Sequence, residues 1–154
     1  MGGGCHWCTE AVFIKLDGVS QVEQGYIASN GINTPFSEGV IVHYNPQLIN
    51  LELLLKVHLR THAATSAHSM RTKYRSAVYY FDEQTKKDLR TLLNKERLLF
   101  KETLITQILP FEAFKISREQ IQRYYQKNPE APFCQRYIEP KLAKMNTFLT
   151  KHFE

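Results

Sequence analysis

Two strand-forming runs stand side by side in this chain with only a loop between them, and that arrangement limits its fold most. Residues 19–27 read as one strand. Residues 37–45 alternate, with Val40, Val42 and Tyr44 on one face and Ile41 and His43 on the other. Residues 28–36 (ASNGINTPF) between them are turn formers, and Asn45-Pro46 closes the second run. Helical patterns follow and intersperse with further strands. The spacing predicts helices over 5–16 (Trp7, Ala11 and Ile14 on one face), 48–60 (Leu48, Leu51, Leu55 and His58), 83–100 (Leu89, Leu92 and Leu93) and 139–151 (Leu142, Met145 and Leu149). Strands are predicted over 74–82 and 103–110, the latter stopped by Pro110. A short helix over 117–126 has Ser117 as its cap, and residues 128–134 (NPEAPFC) read as a loop. Strands adjacent in sequence with helices among them predict the α+β class, a mostly antiparallel sheet covered by helices. No linker divides the chain, so one domain over 1–154 is expected.

Composition narrows the function classes. Of 154 residues, 43% are apolar and 23% charged, which suits an ordinary soluble domain. No apolar run approaches the roughly 18–20 residues of a membrane span, so no membrane partner is expected. The net charge of +5 is uneven: residues 1–70 carry −2 and residues 71–154 carry +7. The basic charges are scattered among acids, as on a solvated face, and no nucleic-acid-binding signature accompanies them. Nucleic acid is therefore not an expected partner.

Cysteine usage points to chemistry. The three cysteines, Cys5, Cys8 and Cys134, are an odd number, and no apolar leader precedes them. A cytoplasmic, reducing location is the expectation, and clustered cysteines there suggest redox catalysis or a metal. Gly2-Gly3-Gly4 gives a sharp approach to Cys5 at the start of a helix, where unpaired N–H groups and the helix dipole favour a thiolate. Two other readings of these residues stay open. Cys5-His6-Trp7-Cys8 fits a Cys-x-x-Cys dithiol oxidoreductase. Cys5 and Cys8 also have zinc-ligand spacing, with His58 and His62 at i, i+4 on a helix, although about 50 residues away.

Gly4-Cys5-His6-Trp7-Cys8-Thr9-Glu10 resembles the Gly-Cys-Phe-Trp signature of the peptide methionine sulfoxide reductase A family. Further segments match it in order: Gly18-Val19 with Gly25-Tyr26, Ser37-Glu38-Gly39-Val40-Ile41-Val42, Thr72-Lys73-Tyr74-Arg75-Ser76-Ala77-Val78-Tyr79, Gln122–Pro129, and Pro132-Phe133-Cys134-Gln135 with Pro140-Lys141. The resemblance implies a compact two-layer α+β domain of ferredoxin-like type that reduces methionine S-sulfoxide, free or in proteins. It implies that the Cys5 thiolate attacks the sulfoxide sulfur while Glu38, its pKa raised by burial, protonates the oxygen. It also implies that Tyr74 donates its hydroxyl to that oxygen and that Trp7, with His6 in the family's Phe position, walls the substrate methyl group.

Besides His6, the chain departs from the family pattern in four further places. The family's Asp falls on Ser69. A loop carrying a second active-site Tyr is shortened to residues 30–37, so that either Tyr26 compensates or the site works with one tyrosine. The chain begins almost at the glycine turn, where the family supplies a strand. Cys8 stands where the family usually has another residue. Regeneration is expected through Cys134, from an accessible loop, with Cys8 as the alternative resolving thiol. The disulfide would be reduced by thioredoxin or another dithiol, in a monomer with no resident cofactor and no metal.

Overall fold

The computed structural model describes residues 1–152. Strand β1 (Val19–Ala28) is the middle of a three-stranded antiparallel sheet, between β2 (Ser37–Tyr44) and β5 (Ala113–Ile116). The register sets Tyr26 opposite Glu38 and Gly25 opposite both Gly39 and Ile116. A second sheet pairs β3 (Ala77–Tyr80) with β4 (Gln107–Pro110) in parallel, as the intervening α3 (Glu83–Arg97) allows. The first two residues stitch the sheets together. Met1 exchanges backbone hydrogen bonds with Val40 of β2, and Gly2 exchanges them with Ala77 of β3. The antiparallel α+β expectation holds, with one parallel pair added.

Helices cover the sheets as the apolar spacing predicts. Helix α1 (His6–Ile14) buries Ala11, Val12 and Phe13 against Leu54 and Val57 of α2 (Leu51–Thr61) and Met145 of α5 (Glu139–His152). A second cluster joins Leu55 and Leu59 to Val78 and to Leu89 and Leu93 of α3. Helix α2 starts at Asn50, whose side chain accepts from the Leu53 N–H at 2.8 Å, and α3 starts at Asp82, which accepts from Thr85 at 2.7 Å.

Three local readings are corrected. The 117–126 helix is broken into a 3-10 turn at Glu119–Ile121 and a single turn, α4 (Tyr124–Lys127), because Arg123 between them takes a left-handed φ of 53°. Ser117 caps neither; its N–H continues the β5 ladder to the Gln24 carbonyl at 3.0 Å. Residues 128–134 do not stay a loop to Cys134. Helical structure begins at residue 132, and Cys134–Ile138 form a π-helical turn that runs into α5. A proline is tolerated in a first helical turn, where its missing N–H has no partner to lose, so Pro132 does not stop this one.

Candidate active site

Cys5 is the N-cap of α1, with non-helical φ and ψ of −57° and 129°. The glycine approach is held rigidly. The Gly2 carbonyl faces His58 Nε2 at 2.9 Å, the Gly3 carbonyl accepts from Arg71 at 2.9 Å, and a side chain at Gly3 would collide with the His62 ring. Close packing, more than turn freedom, requires glycine there. From this position Cys5 is served as a thiolate. The Cys8 thiol donates to it, and so do the N–H groups of Trp7 and Cys8; together they hold Cys5 below the ordinary thiol range, against burial and the Glu38 charge, which push it up. Cys8 is pushed far up, first by its donation to Cys5 and then by burial, and so remains a thiol.

The third cysteine is also close. Cys134 is fully buried in the same core cluster as Cys8, with Cys5 packed against it, and burial raises its pKa. The Lys141 ammonium, which donates to the Thr61 carbonyl at 2.6 Å, adds a positive charge near Cys8 and Cys5. The structure therefore brings the three thiols together, but it places Cys134 in a packed helical turn and not in an accessible loop.

Glu38 enters from β2 and is buried, 6% exposed. Its Oε1 accepts from the His6 backbone N–H at 3.3 Å and lies 3.3 Å from the His6 ring Nε2; its Oε2 lies 3.9 Å from Lys73 Nζ. His6 is itself 3% exposed, its Nδ1 is 3.1 Å from the Gly25 carbonyl, and Tyr26 meets the ring edge-on at 5.2 Å. Burial, opposed by the Glu38 charge, holds this imidazole below its ordinary range. His6 thus turns toward the carboxylate and does not line an open cleft. Lys73 Nζ also sits 5.1 Å from the centre of the Tyr74 ring, and the Tyr74 side chain beside it holds the ammonium above the ordinary lysine range.

Trp7 is half-buried and stacks on Tyr124 at 4.1 Å and 11°, with Phe133 edge-on at 5.2 Å. Sequence reasoning found Trp7 but assigned nothing to Tyr124, Phe133, Lys73 or Lys141. All four lie within matched segments, but no spacing rule joins Tyr124 and Phe133 to a tryptophan more than 100 residues away. Ser69 is exposed in the turn before β3, and its neighbour His68 accepts from the Met70 N–H. His58 and His62 have their ring nitrogens against the Gly2 and His58 carbonyls and Ser76 Oγ, and no group of three or more metal-binding side chains forms among the described residues. A cavity of about 670 Å³ lined by Glu10, Gln21, Gln122 and Arg123 contains none of Cys5, Glu38 or Tyr74. The chemistry, not that cavity, locates the site.

A family model described as peptide methionine sulfoxide reductase matches residues 1–153. A peptide methionine sulfoxide reductase MsrA 1 of Rhodopirellula baltica is 32% identical over 95% of this chain and 83% of its own length. An MsrA of a Psychrobacter species is 33% identical over 94% of this chain and 91% of its own. Among solved structures, reduced Mxr1 from Saccharomyces cerevisiae superposes with a TM-score of 0.77 at 26% identity, covering 86% of each chain. The same yeast protein in complex with Trx2 superposes with a TM-score of 0.61, at 26% identity over 80% of each chain.

Proposed function

The chain belongs to the peptide methionine sulfoxide reductase A family, and from that premise we propose how its own residues reduce methionine S-sulfoxide. The enzyme reduces methionine sulfoxide to methionine and is regenerated by thioredoxin. The single observation that carries the mechanism is Cys5 at the N-cap of α1, receiving a hydrogen bond from the Cys8 thiol, with the buried Glu38 carboxyl nearby.

The Cys5 thiolate attacks the sulfoxide sulfur, and Glu38 supplies a proton to the oxygen as the sulfur–oxygen bond breaks. Attack makes a sulfur–sulfur bond; the released oxygen, as water, then attacks Cys5 Sγ and breaks that bond, so that Cys5 becomes a sulfenic acid, methionine leaves as the thioether, and one proton is consumed in all. Sulfoxide sulfur is reduced by two electrons and Cys5 is oxidised by two. The Tyr74 hydroxyl is a second donor to the oxygen, Tyr26 braces the His6 side of the site, and the Trp7–Tyr124–Phe133 stack presents an apolar wall for the methyl group.

Cys8 then attacks the sulfenic sulfur, water leaves, and a disulfide forms. The non-helical backbone of Cys5 lets a first-turn i, i+3 pair bridge, which a regular helix does not allow. Cys134, next to Cys8, takes over the disulfide when the π-turn unwinds, since such turns interrupt regular helical bonding. Thioredoxin removes it by thiol–disulfide exchange. The reaction needs only thiols and an external dithiol and so calls for no resident cofactor; with it we propose a cytoplasmic monomer of one domain, residues 1–154, that acts on free or protein-bound sulfoxide.

Peptide mapping after one equivalent of methionine S-sulfoxide tests the order of the thiols. A Cys5–Cys8 link is expected first, and Cys8→Ala should leave a trappable sulfenic acid. Direct formation of a Cys5–Cys134 link in Cys8→Ala at the wild-type rate would show that Cys134 needs no intermediary.

A further inference from the structure

The His6 ring is buried beside Glu38. Its Nδ1 is 3.1 Å from the Gly25 carbonyl, which can only accept, so Nδ1 carries a hydrogen. A neutral ring then offers a lone pair at Nε2, and that atom lies 3.3 Å from Glu38 Oε1. A carboxylate facing a lone pair in a buried site is unfavourable for both groups. One proton between them removes the conflict, whichever atom carries it.

We propose that His6 and Glu38 form a buried imidazole–carboxyl pair that holds one proton beside Cys5, with His6 as the positioning residue of the acid. This rests on the assignment of Glu38 as proton donor. Each turnover draws that proton onto the sulfoxide oxygen, which ends in the sulfenic acid; the Cys8 hydrogen leaves with the water as the disulfide forms, so the pair regains its proton from solvent. The other groups facing the pair are the Cys5 thiolate, whose charge favours the proton, Lys73 at 3.9 Å from Oε2, whose charge opposes it, and the Tyr26 ring. Burial, and after it the Lys73 charge, disfavour a charged His6, which agrees with a neutral ring beside Glu38. Two bases sharing one proton keep it to higher pH than either keeps it alone.

The test is the pH profile of single-turnover methionine formation by His6→Phe beside the wild type. The alkaline limb, where the pair loses its proton, should move down by about one pH unit or more in the variant, a tenfold loss in proton affinity. Nitrogen-15 shifts of the wild-type His6 ring supply a readout that does not depend on the variant folding. They should titrate at the midpoint of that limb and lose the transition in Glu38→Gln. An unmoved limb, or a His6 ring that titrates near an ordinary imidazole value in both wild type and Glu38→Gln, overturns the pair. Loss of all reduction in Cys5→Ser with the pair's titration intact bears on the thiol mechanism alone.

Discussion

The reactive residue is made by its neighbours. The Cys5 thiolate rests first on a thiol and on two backbone N–H groups of the first helical turn. That predicts a measurable dependence on Cys8. Alkylation of Cys5 by iodoacetamide should proceed with a midpoint below the ordinary thiol value of 9.0, because only the thiolate reacts. In Cys8→Ala the midpoint should move up, since the largest stabilising donor is gone. An unchanged midpoint would assign the stabilisation to the helix start alone. At this scale the sequence was most readable: glycines before a cysteine before a helix is a local pattern with a local consequence. His6 was not readable in the same way. Its aromatic character fitted a stacking wall, and only the register of Tyr26 opposite Glu38 reveals that a ring at the first turn of α1 reaches the carboxylate.

Elements position what residues perform. Strand β5 is four residues long, with Lys115 as its one polar residue among Ala113, Phe114 and Ile116; it is too short for periodicity to register, and the sequence pattern does not show it. It nevertheless leads through Ser117 to α4, whose Tyr124 backs Trp7. Its seat on β1 depends on Gly25, where a Cβ would collide with the Lys115 backbone carbonyl and come within 2.7 Å of the Phe114 ring. Gly25→Ala should therefore destabilise the fold by about 1–3 kcal/mol, the range for overpacking a close contact, measured by urea unfolding. A neutral result would mean that β5 can shift off β1 without loss. The Cys134 turn shows the opposite failure. Two prolines and polar residues suggested an open segment, whereas burial of Cys134 and Ile138 against the α1 core folds it into a helix. Tertiary packing decided that element, and no local rule contains it.

The whole molecule carries a pH dependence set by two histidines behind the glycine turn. Burial lowers His58 well below 6.5 and takes His62 from 6.5 to about 4. The unfolded chain binds their protons more readily, so their contribution is complete above about pH 6.5 and is lost as pH falls toward 4. Urea midpoints should drop across that window, and reductase activity with them, because His58 and His62 brace Gly2 and Gly3 ahead of Cys5. Stability that is flat from pH 7 to 4.5 would contradict the buried neutral rings. At this scale the α+β architecture and the family were legible because ordered motifs span the chain. The stitching of two sheets by Met1 and Gly2 was not, since two residues form no pattern.

The most direct measurement is single-turnover reduction of separated methionine sulfoxide epimers by wild type and Cys5→Ser without external reductant. The S epimer should yield one equivalent of methionine per wild-type chain, the R epimer none, and Cys5→Ser none from either. Consumption of the R epimer, or methionine released at the wild-type rate by Cys5→Ser, would contradict an S-specific reductase built on Cys5.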